Sequence, residues 1–307
     1  MLPTPPEDRS PAELLSFGVV SLDKPPGPSS HEVADWTQDL IAEALAAAET
    51  DHTVDRVAHA GTLDPKVTGS LPLLLGRATR IAQVFDDSVK EYVAVLECHG
   101  PLPSDVTATL SEFVGDLYQK PPRKSAVKRQ LRVRTVHDIA VLDEGDRQLL
   151  LRVRCEAGTY IRKLCHDIGL ALGTGAHMGD LRRAATGRFD DTDLVTMEDF
   201  ADALAFWTED GNDEPLREVV SPAERALAPL GRVTIAPSAA EEVTDGAPVY
   251  APGVIDVSPP ATGDTQPSSG DLVACYTPNG AAICLGRFVG SAVADSGTVV
   301  ELERVVV

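Results

Sequence analysis

The apolar and polar positions of the first hundred residues predict a buried strand, an amphipathic helix and a further buried segment. Residues 17–22 form an apolar run of strand length. A helix is expected from Ser30, because Ser29 and Glu32 have the spacing of a capping box and apolar side chains then recur on one helical face. Residues 71–85 are mostly apolar, and their length favours a buried helix.

The middle of the chain mixes strands and helices without a regular strand–helix–strand repeat. The pattern predicts, in chain order, a strand over 91–98, a helix over 105–117, paired hairpin strands over 132–142 and 148–155, and a helix over 159–172 that stops at Gly173. Such a mixture favours an α+β fold with a mainly antiparallel mixed sheet flanked by helices.

The residue pattern changes twice in the last third of the chain, first in charge and then in predicted secondary structure. Residues 190–224 hold twelve acidic side chains and one basic one, and we expect a surface-exposed connecting region with short helices. From residue 232 short β segments alternate with turn signals, which predicts a small C-terminal β-barrel. We expect no regular structure over 256–270, which is rich in Pro, Ser, Thr and Gly. The predicted organisation is a Pro-rich tail over 1–16, a first domain over 17–228 and a second over 231–307.

Composition predicts a globular intracellular protein. Hydrophobic residues make up 43% of the chain, and the longest apolar patch is too short to span a bilayer. The N-terminus lacks the features of a secretory signal, so we expect a cytoplasmic protein that binds no membrane. None of the five cysteines forms a Cys-x-x-Cys pair, and we expect small buried side chains rather than disulfides or a zinc site.

The net charge of −20 argues against nucleic-acid binding, because proteins that bind nucleic acids are usually basic. Lysine is scarce, with seven residues against twenty arginines, and acidic residues are spread along the chain. This pattern is typical of proteins that stay soluble in concentrated salt. Composition by itself favours an acidic enzyme that never contacts a polyanion.

One loop, His59–Gly69, carries a candidate catalytic carboxylate. Gly61 permits unusual backbone angles there, and Pro65 restricts Asp64 to extended ones. Taken alone, Asp64 is better explained as the cap of a following helix. Four further motifs elsewhere in the chain change that balance.

In chain order, these four motifs are Leu22–Ser30 (LDKPPGPSS), Lys90–Tyr92 (KEY), Gly158–Arg162 (GTYIR) and Leu181–Gly187 (LRRAATG). Together with the loop they resemble the motifs of TruB-type pseudouridine synthases. The resemblance implies the pseudouridine synthase fold and an enzyme that isomerises uridine in RNA. In that reaction uracil is detached from C1′ of its ribose, rotated and rejoined through C5. No redox change occurs, so the resemblance implies neither a cofactor nor a metal.

The resemblance assigns catalytic roles to three residues. Asp64 is the carboxylate beside the sugar, either as nucleophile at C1′ or as the group that steers elimination and re-addition. Arg162 keeps that carboxylate ionised, and Tyr92 stacks on the excised base and mediates proton removal at C5. A surface arginine and a core tyrosine stay open as alternatives for residues 162 and 92.

Three further residues are assigned by the resemblance to the nucleotide pocket. Ile161 and Leu181 would be its apolar walls, although core packing explains both nearly as well. His59 would help to hold the target nucleotide outside its stack, since the sugar is otherwise inaccessible to Asp64. An ordinary loop histidine is almost as good an explanation.

A basic segment offers a place for RNA on this acidic chain. Residues 120–134 hold seven basic residues in fifteen and no acid, and their prolines exclude a simple helix. A solvated charge run is the alternative. The predicted RNA-binding residues are Lys120, Arg123, Lys124, Lys128, Arg129, Arg132, Arg134, Arg182 and Arg183.

The same segment distinguishes branches of the family. Gln119–Pro122 and Ser125–Arg134 resemble the dyskerin-like catalytic subunit of archaeal box H/ACA ribonucleoproteins. The acidic loop insertion that is typical of the bacterial tRNA enzyme has no room after Tyr92. The C-terminal segment resembles a PUA domain, with Gly246–Val249 and Gly270–Val273 among its recognisable pieces.

Membership of this branch would imply RNA and protein partners. They are a guide RNA that selects a target in rRNA or tRNA, a small zinc-ribbon-type protein, a GAR-domain-like protein and a kink-turn-binding ribosomal-protein-like subunit. The PUA domain would anchor the terminal ACA element of the guide. Two alternatives stay open: a stand-alone synthase for the tRNA T-loop, and a non-catalytic scaffold of an RNA particle, against which the intact Asp64, Tyr92 and Arg162 argue.

Overall fold

The computed structural model describes residues 3–120, 130–291 and 295–307, whose strands form two sheets. The strands of the larger sheet are β1 Gly18–Lys24, β2 Val57–His59, β3 Thr68–Leu75, β4 Lys90–Cys98, β5 Gly115–Gln119, β6 Arg132–Glu144, β7 Gln148–Cys155, β8 Ala176–Thr186, β9 Phe189–Asp190 and β10 Val220–Pro222. They run in the order β10-β1-β3-β8-β4-β7-β6-β5, with β2 beside β3 and β9 beside β8. Only β3 with β8 is a parallel pair among the described strands of this sheet.

Seven α-helices accompany this sheet in the described part of the chain. They are α1 Pro11–Ser16, α2 Ser30–Ala47, α3 Val106–Ser111, α4 Ile161–Ala171, α5 Met197–Asp210, α6 Glu214–Val219 and α7 Glu224–Leu227. Helix α2 packs on α5, and α4 packs on β8. The prediction of an α+β fold with a mainly antiparallel mixed sheet flanked by helices is confirmed.

The smaller sheet contains the predicted C-terminal β segments. Its elements are β11 Gly231–Ile235, α8 Pro237–Thr244, β12 Val249–Tyr250, β13 Val254–Ser258, β14 Leu272–Tyr276, β15 Ala282–Phe288 and β16 Thr298–Val305. The strand order is β12-β16-β15-β14-β11-β13, and β11 pairs with β14 in parallel. Strand β13 extends into the stretch for which we expected no regular structure, because pairing with β11 orders its first residues.

One apolar cluster joins the two sheets. Phe17 and Leu74 of the larger sheet's region lie in the same buried core as Tyr276, Leu285 and Val306 of the smaller one. This shared core fixes the position of the C-terminal sheet against the back of β1 and β3.

The predicted buried helix over residues 71–85 is wrong. The chain forms the buried strand β3 up to Leu75 and then a 3-10 helix, Gly76–Phe85. A strand that is covered on both faces reads as a continuous apolar run, so hydrophobic periodicity could not separate it from a buried helix. The helix predicted over 105–117 is also shorter than expected, since α3 ends at Ser111 and β5 begins at Gly115.

The acidic region over 190–224 is more than a surface connection. Helix α5 begins at a capping box on Thr196 and buries Phe200, Ala203 and Leu204 in the main core. Helix α6 adds Leu216 to the same core. The acidic side chains occupy the outer face of these helices, which is why composition suggested an exposed linker.

The N-terminal residues that we expected to form a tail also pack on the fold. Ser10 caps α1 through a capping box, and Leu14 and Leu15 are buried. Arg9 forms a two-point ion pair with Glu224 of α7. The predicted domain limits at 16, 228 and 231 stay predictions.

The five cysteines are all buried, as predicted. Among the residues that the structure describes, none of the helices is both long and apolar enough to cross a membrane.

Candidate active site

A cavity of about 700 Å³ opens where the Asp64 loop meets β4, β8 and the start of α4. Its volume lies in the range of small-molecule and nucleotide sites. The structure brings to this cavity eight of the residues singled out from the sequence, which are His59, Asp64, Tyr92, Arg134, Ile161, Arg162, Leu181 and Arg183. Segments that are far apart in the chain thus converge on one site.

Asp64 and Arg162 form an ion pair at the mouth of the cavity. Nη2 of Arg162 donates to Oδ2 of Asp64 across a sequence separation of 98 residues. Their side chains are 58% and 50% exposed, respectively, so the pair is open to an incoming ligand. Arg162 occupies the first turn of α4, which points its guanidinium at the loop.

Lys24 holds the Asp64 loop from below. This residue ends β1 and is buried, and its Nζ donates to the carbonyl oxygens of Pro25 (2.8 Å), Pro65 (3.0 Å) and Val67 (2.9 Å). Burial lowers the pKa of the Lys24 ammonium. The sequence motif LDKPPGPSS pointed to this segment without revealing a role, and the structure shows that its lysine ties down the turn after Asp64.

Ser30 fixes the other side of the same loop. Its hydroxyl accepts from the Leu63 amide at 2.8 Å and lies 3.2 Å from the Leu63 carbonyl oxygen. Because Leu63 directly precedes Asp64, the carboxylate is bracketed by two anchored residues. The loop geometry is therefore set by the N-terminal motif rather than by the loop alone.

Arg183 lies under the cavity floor and ties three segments together. The side chain is 1% exposed, and its Nε donates to the Ser70 carbonyl at 2.8 Å while Nη2 donates to the Gly61 carbonyl at 3.0 Å. In the pairing of β4 with β8, Arg183 lies directly opposite Tyr92. This burial does not fit the surface RNA contact that we predicted for Arg183.

Tyr92 forms part of the cavity floor and is half-buried. Burial raises the pKa of its hydroxyl, and the neighbouring Arg183 charge opposes that rise. Gly61, beside this group, has φ +92°, and a Cβ there would lie 3.3 Å from Nη1 of Arg183. The left-handed backbone at residue 61 thus lets the loop approach the guanidinium closely.

Lys90 is a second buried base next to the floor. It is 4% exposed, and its Nζ lies 3.2 Å from the Phe85 carbonyl oxygen and 2.5 Å from Oγ of Ser88. Burial, with a contribution from the Arg183 charge, lowers its pKa to about 7. The sequence motif included this lysine, but the depressed pKa is a property of its packing and could not be foreseen.

His59 and the two apolar residues occupy the cavity walls. Burial and the Arg183 charge lower the pKa of His59, whose Nδ1 is buried without a hydrogen-bond partner among the described residues. Ile161 and Leu181 line the cavity and belong to the main apolar core as well. Both side chains therefore combine core packing with a place in the cavity lining, and their role as walls of a nucleotide pocket stays a prediction.

The predicted RNA-binding residues are dispersed. Arg123, Lys124, Lys128 and Arg129 lie outside the described residues. Lys120 is exposed and Arg132 is half-buried, while Arg134 pairs with Glu156 at 2.7 Å beside the cavity.

Arg182 lies outside the cavity lining, although its neighbour in sequence is part of the floor. Its guanidinium makes a two-point contact with Asp23 (2.8 and 3.0 Å) and also lies 3.7 Å from Asp191. The hydrogen bonds to Asp23 raise the pKa of Arg182. Two carboxylates thus already neutralise the charge that we assigned to RNA.

Four family models match successive parts of the chain. They are the DKCLD (NUC011) domain over residues 3–34, the N-terminal domain of TruB family pseudouridylate synthases over 50–105, the C-terminal domain of tRNA pseudouridylate synthase B over 162–228, and the PUA domain over 231–305. The acidic region over 190–224, for which we expected a surface-exposed connection, lies within the third match.

Whole-chain relatives decide the family. A protein of Haloarcula marismortui named "Probable tRNA pseudouridine synthase B" is 61% identical over 306 residues, which cover 100% of this chain and 94% of the relative. The chain belongs to the TruB family of pseudouridine synthases. Proteins of the same name from Halobacterium salinarum and Methanopyrus kandleri are 59% and 44% identical and are matched over 98% and 86% of their lengths, across 99% and 98% of this chain. It is thus a pseudouridine synthase.

Solved structures place this family member near the dyskerin-like branch. A Cbf5-Nop10-Gar1 complex contains a chain with 42% identity and a TM-score of 0.86, covering 99% of this chain and 89% of that one. An archaeal box H/ACA Nop10-Cbf5 complex gives 38% identity and a TM-score of 0.84, with coverages of 99% and 91%. The predicted pseudouridine synthase fold with a C-terminal PUA domain is confirmed.

Proposed function

We propose that this chain converts uridine to pseudouridine at RNA positions chosen by a guide RNA, with Asp64 as the catalytic carboxylate. One observation carries the assignment of the residues. The Asp64–Arg162 ion pair lies at the mouth of a cavity of about 700 Å³ whose floor is formed by Tyr92. A carboxylate, a guanidinium and an aromatic hydroxyl around one nucleotide-sized space are the groups that this isomerisation requires.

Arg162 positions Asp64 for attack or steering at the sugar. In the nucleophilic route a carboxylate oxygen bonds to C1′ while the C1′–N1 bond breaks, and C5 of the rotated uracil later displaces the carboxylate. In the elimination route the carboxylate directs removal and re-addition at the same ribose. Both routes need an oriented carboxylate that is open to solvent before the substrate binds, which is the arrangement at residues 64 and 162.

The rest of the cavity suits an extruded nucleotide. A uridine must leave its stack to bring C1′ to Asp64, and the half-buried ring of Tyr92 offers a surface for the detached base. Ile161 and Leu181 would exclude water from that base, and His59 would contact the extruded nucleotide. After C5 joins the sugar, the Tyr92 oxygen is the acceptor that we propose for the C5 proton.

Guide dependence is supported by the solved relatives. Chains that are 42% and 38% identical and cover 99% of this chain were solved in a Cbf5-Nop10-Gar1 complex and in a Nop10-Cbf5 complex, respectively. A further relative, 40% identical with a TM-score of 0.85 and coverages of 99% and 89%, was solved as an H/ACA RNP bound to a substrate RNA. We propose RNA and small protein partners of these kinds, while the kink-turn-binding subunit rests on the sequence resemblance alone.

RNA contacts would then be divided between two regions. The basic segment over 120–134 begins directly after Gln119, which accepts a hydrogen bond from the Tyr160 amide at the start of α4, and it ends at Arg134, which lines the cavity. The C-terminal sheet would anchor the guide. Because the chain is strongly acidic, as proteins that work in concentrated salt commonly are, we expect RNA shape and base pairing to contribute more than phosphate contacts.

The assignment of Asp64 is tested by Asp64→Asn in a particle reconstituted from the full chain, guide RNA and the small proteins. Loss of pseudouridine by at least about 10,000-fold is expected, because the variant lacks the anionic oxygen. Asp202→Asn, at an exposed position of α5, is the matched control for a lost carboxylate. Equal pseudouridine yields from the wild type and Asp64→Asn would refute an enzymatic role for this residue.

Guide dependence is tested separately by mapping pseudouridine after two incubations. In one the chain alone meets a tRNA transcript, and in the other guide RNA and the small proteins are added with an rRNA fragment. We expect modification of rRNA only in the second. Efficient modification of the T-loop by the chain alone would favour the stand-alone tRNA synthase, which the names of the relatives suggest.

A further inference from the structure

Arg183 is a buried cation without a carboxylate partner among the described residues. Burial lowers its pKa, and the only described group that opposes this effect is Tyr92. Its other contacts are two neutral carbonyl oxygens, those of Ser70 and Gly61. Burying an unpaired charge is costly, so such a residue calls for an explanation beyond packing.

Sheet register places this charge against Tyr92. Strands β4 and β8 are antiparallel neighbours, and Tyr92 pairs directly with Arg183. The ladder shifts register between Glu91 and Tyr92, at the point where the two side chains meet. Opposed residues of paired strands hold their side chains close together, so the contact is built into the sheet rather than into a loop.

A tie between the loop and the sheet does not need a full charge. A neutral amide could donate to the carbonyls of Ser70 and Gly61 with a smaller desolvation cost. What a full positive charge adds is a stronger stabilisation of a negative oxygen at the cavity floor than a neutral donor gives. Across the strand pair Arg183 faces Tyr92, and both residues line the cavity.

We propose that Arg183 is a positioning residue for proton transfer from C5, holding the Tyr92 oxygen in place and stabilising the phenolate that receives the proton. This rests on the proposed function, in which uracil rejoins the ribose through C5. The C5–H bond then breaks and its electron pair becomes the C5–C6 double bond. The electrons displaced from the C6–N1 double bond take a proton from solvent at N1. The C5 proton moves to the Tyr92 oxygen and passes to solvent when the product leaves.

The surroundings of Arg183 support this role. Lys90, on the same strand as Tyr92, is buried beside the floor and donates to the Phe85 carbonyl instead of to a carboxylate. The Arg183 charge opposes protonation of that amine. At mildly alkaline pH the floor therefore carries one positive charge, directed at Tyr92, rather than two that repel each other.

The test is the deuterium isotope effect at C5 in single-turnover reactions of the full chain, under the conditions that give wild-type modification. Arg183→Met should slow pseudouridine formation on the order of 100-fold. It should enlarge the isotope effect on substrate deuterated at C5, because proton removal becomes slower than the steps before it. The rate should also recover as the pH is raised, since without Arg183 the phenolate forms only at higher pH.

Two controls separate this role from a structural one. Arg147→Gln changes an exposed arginine in the β6–β7 turn and should leave the isotope effect unchanged. In a Tyr92→Phe background, Arg183→Met should add little further loss, since both act on one step. A variant that is merely less folded lowers the yield without changing the isotope effect or the pH profile, and that result for Arg183→Met would overturn the proposal.

If Arg183→Met does not fold, Arg183→Lys carries the test. The lysine keeps the charge but cannot reach Gly61, Ser70 and Tyr92 together, so the rate should fall roughly 10-fold with a larger isotope effect. An isotope effect equal to that of the wild type would overturn the proposal here too. Activity of Asp64→Asn would instead contradict the proposed function, and the two failures are thus distinguishable.

Discussion

The cavity of the larger sheet and the surface of the C-terminal sheet use positive charge in different ways. Around the cavity, Lys24, Lys90 and Arg183 are buried and donate mainly to backbone carbonyls or uncharged side-chain oxygens. In residues 231–307 there are three arginines, no lysine and nine acids. Of those arginines, Arg232 lies over the Tyr276 ring at 4.0 Å and Arg287 pairs with Glu303 at 2.6 Å.

The comparison shows that net charge is a poor guide to function in this protein. A buried cation beside a reacting group acts on that group through a low dielectric, whereas an exposed arginine is screened by water and salt. The acidic surface therefore coexists with an interior in which three buried bases, Lys24, Lys90 and Arg183, lie around one cavity. Substitution of a base at the cavity should therefore change the modification rate or the free energy of unfolding more than substitution of an exposed arginine in the C-terminal sheet.

The largest effect on the modification rate is expected at the half-exposed ion pair of Asp64 and Arg162. Arg162→Met removes the partner of Asp64 at the cavity and should lower the rate of pseudouridine formation by about 100- to 1,000-fold. The free energy of unfolding should change by less than about 1 kcal/mol, because the pair is exposed. Single-turnover kinetics and chemical denaturation measure the two quantities. A rate within a few-fold of the wild type would remove Arg162 from the site.

The next effect concerns the lysine under the Asp64 loop. Lys24→Met leaves the Pro25, Pro65 and Val67 carbonyls without their buried donor and should lower the free energy of unfolding by about 2 kcal/mol. The rate should fall roughly 10-fold, since the loop that carries Asp64 loses its anchor. Lys66→Met, at an exposed position of the same loop, is the stability control. Equal stability of the two variants would show that the Lys24 contacts contribute nothing.

A smaller effect should appear in the pH dependence of stability. The pKa of Lys90 is about 7 in the folded chain against 10.5 for a free lysine. Between these two pH values the unfolded chain therefore carries a proton on Lys90 that the folded chain has lost. The free energy of unfolding should then rise with pH by up to about 1.4 kcal/mol per unit, and this gain is lost as pH falls through 7. Denaturation between pH 7 and about pH 8 measures the slope, because above that range unfolded cysteines lose protons that the buried thiols keep, which lowers stability.

The matched variant is Lys90→Met. It should flatten this slope, whereas Lys66→Met should keep it. An unchanged slope in Lys90→Met would mean that the lysine is protonated in the folded chain throughout that range.

The smallest effect is expected in the C-terminal sheet. Arg287 is 48% exposed, similar to Arg162, and Arg287→Met breaks its pair with Glu303. Stability should change by less than about 0.5 kcal/mol and the modification rate by less than about 3-fold. A loss of modification rate comparable to that of Arg162→Met would show that this arginine of the C-terminal sheet matters to the reaction as much as the arginine at the cavity.

Local pattern predicted much of the fold and failed where both faces of an element are covered. The strand β1, the capped helix α2 and the β6–β7 hairpin follow directly from periodicity and turn signals. Strand β3 was mistaken for a helix because a doubly buried strand has no polar face to reveal its period. The helices after residue 190 were taken for a linker because their outer faces are acidic.

Motif resemblance located the site, but it did not predict which side chains contact one another there. Asp64, Tyr92 and Arg162 were chosen before their proximity could be known, and the structure places all three at one cavity. Arg183 and Arg182 are adjacent in sequence and looked equivalent. Successive residues of a strand point to opposite faces. Arg183 therefore lies at the cavity floor, whereas Arg182 pairs with Asp23 and Asp191.

The sequence by itself determined the order of the elements, the cap that starts α2 and the identity of the groups available for chemistry, since these depend on local backbone preferences and residue type. The tertiary structure alone decided which charges are buried, which carbonyls they hold and which pKa values shift. Those properties depend on the water that packing excludes around each group, and neighbours far apart in the chain supply that packing.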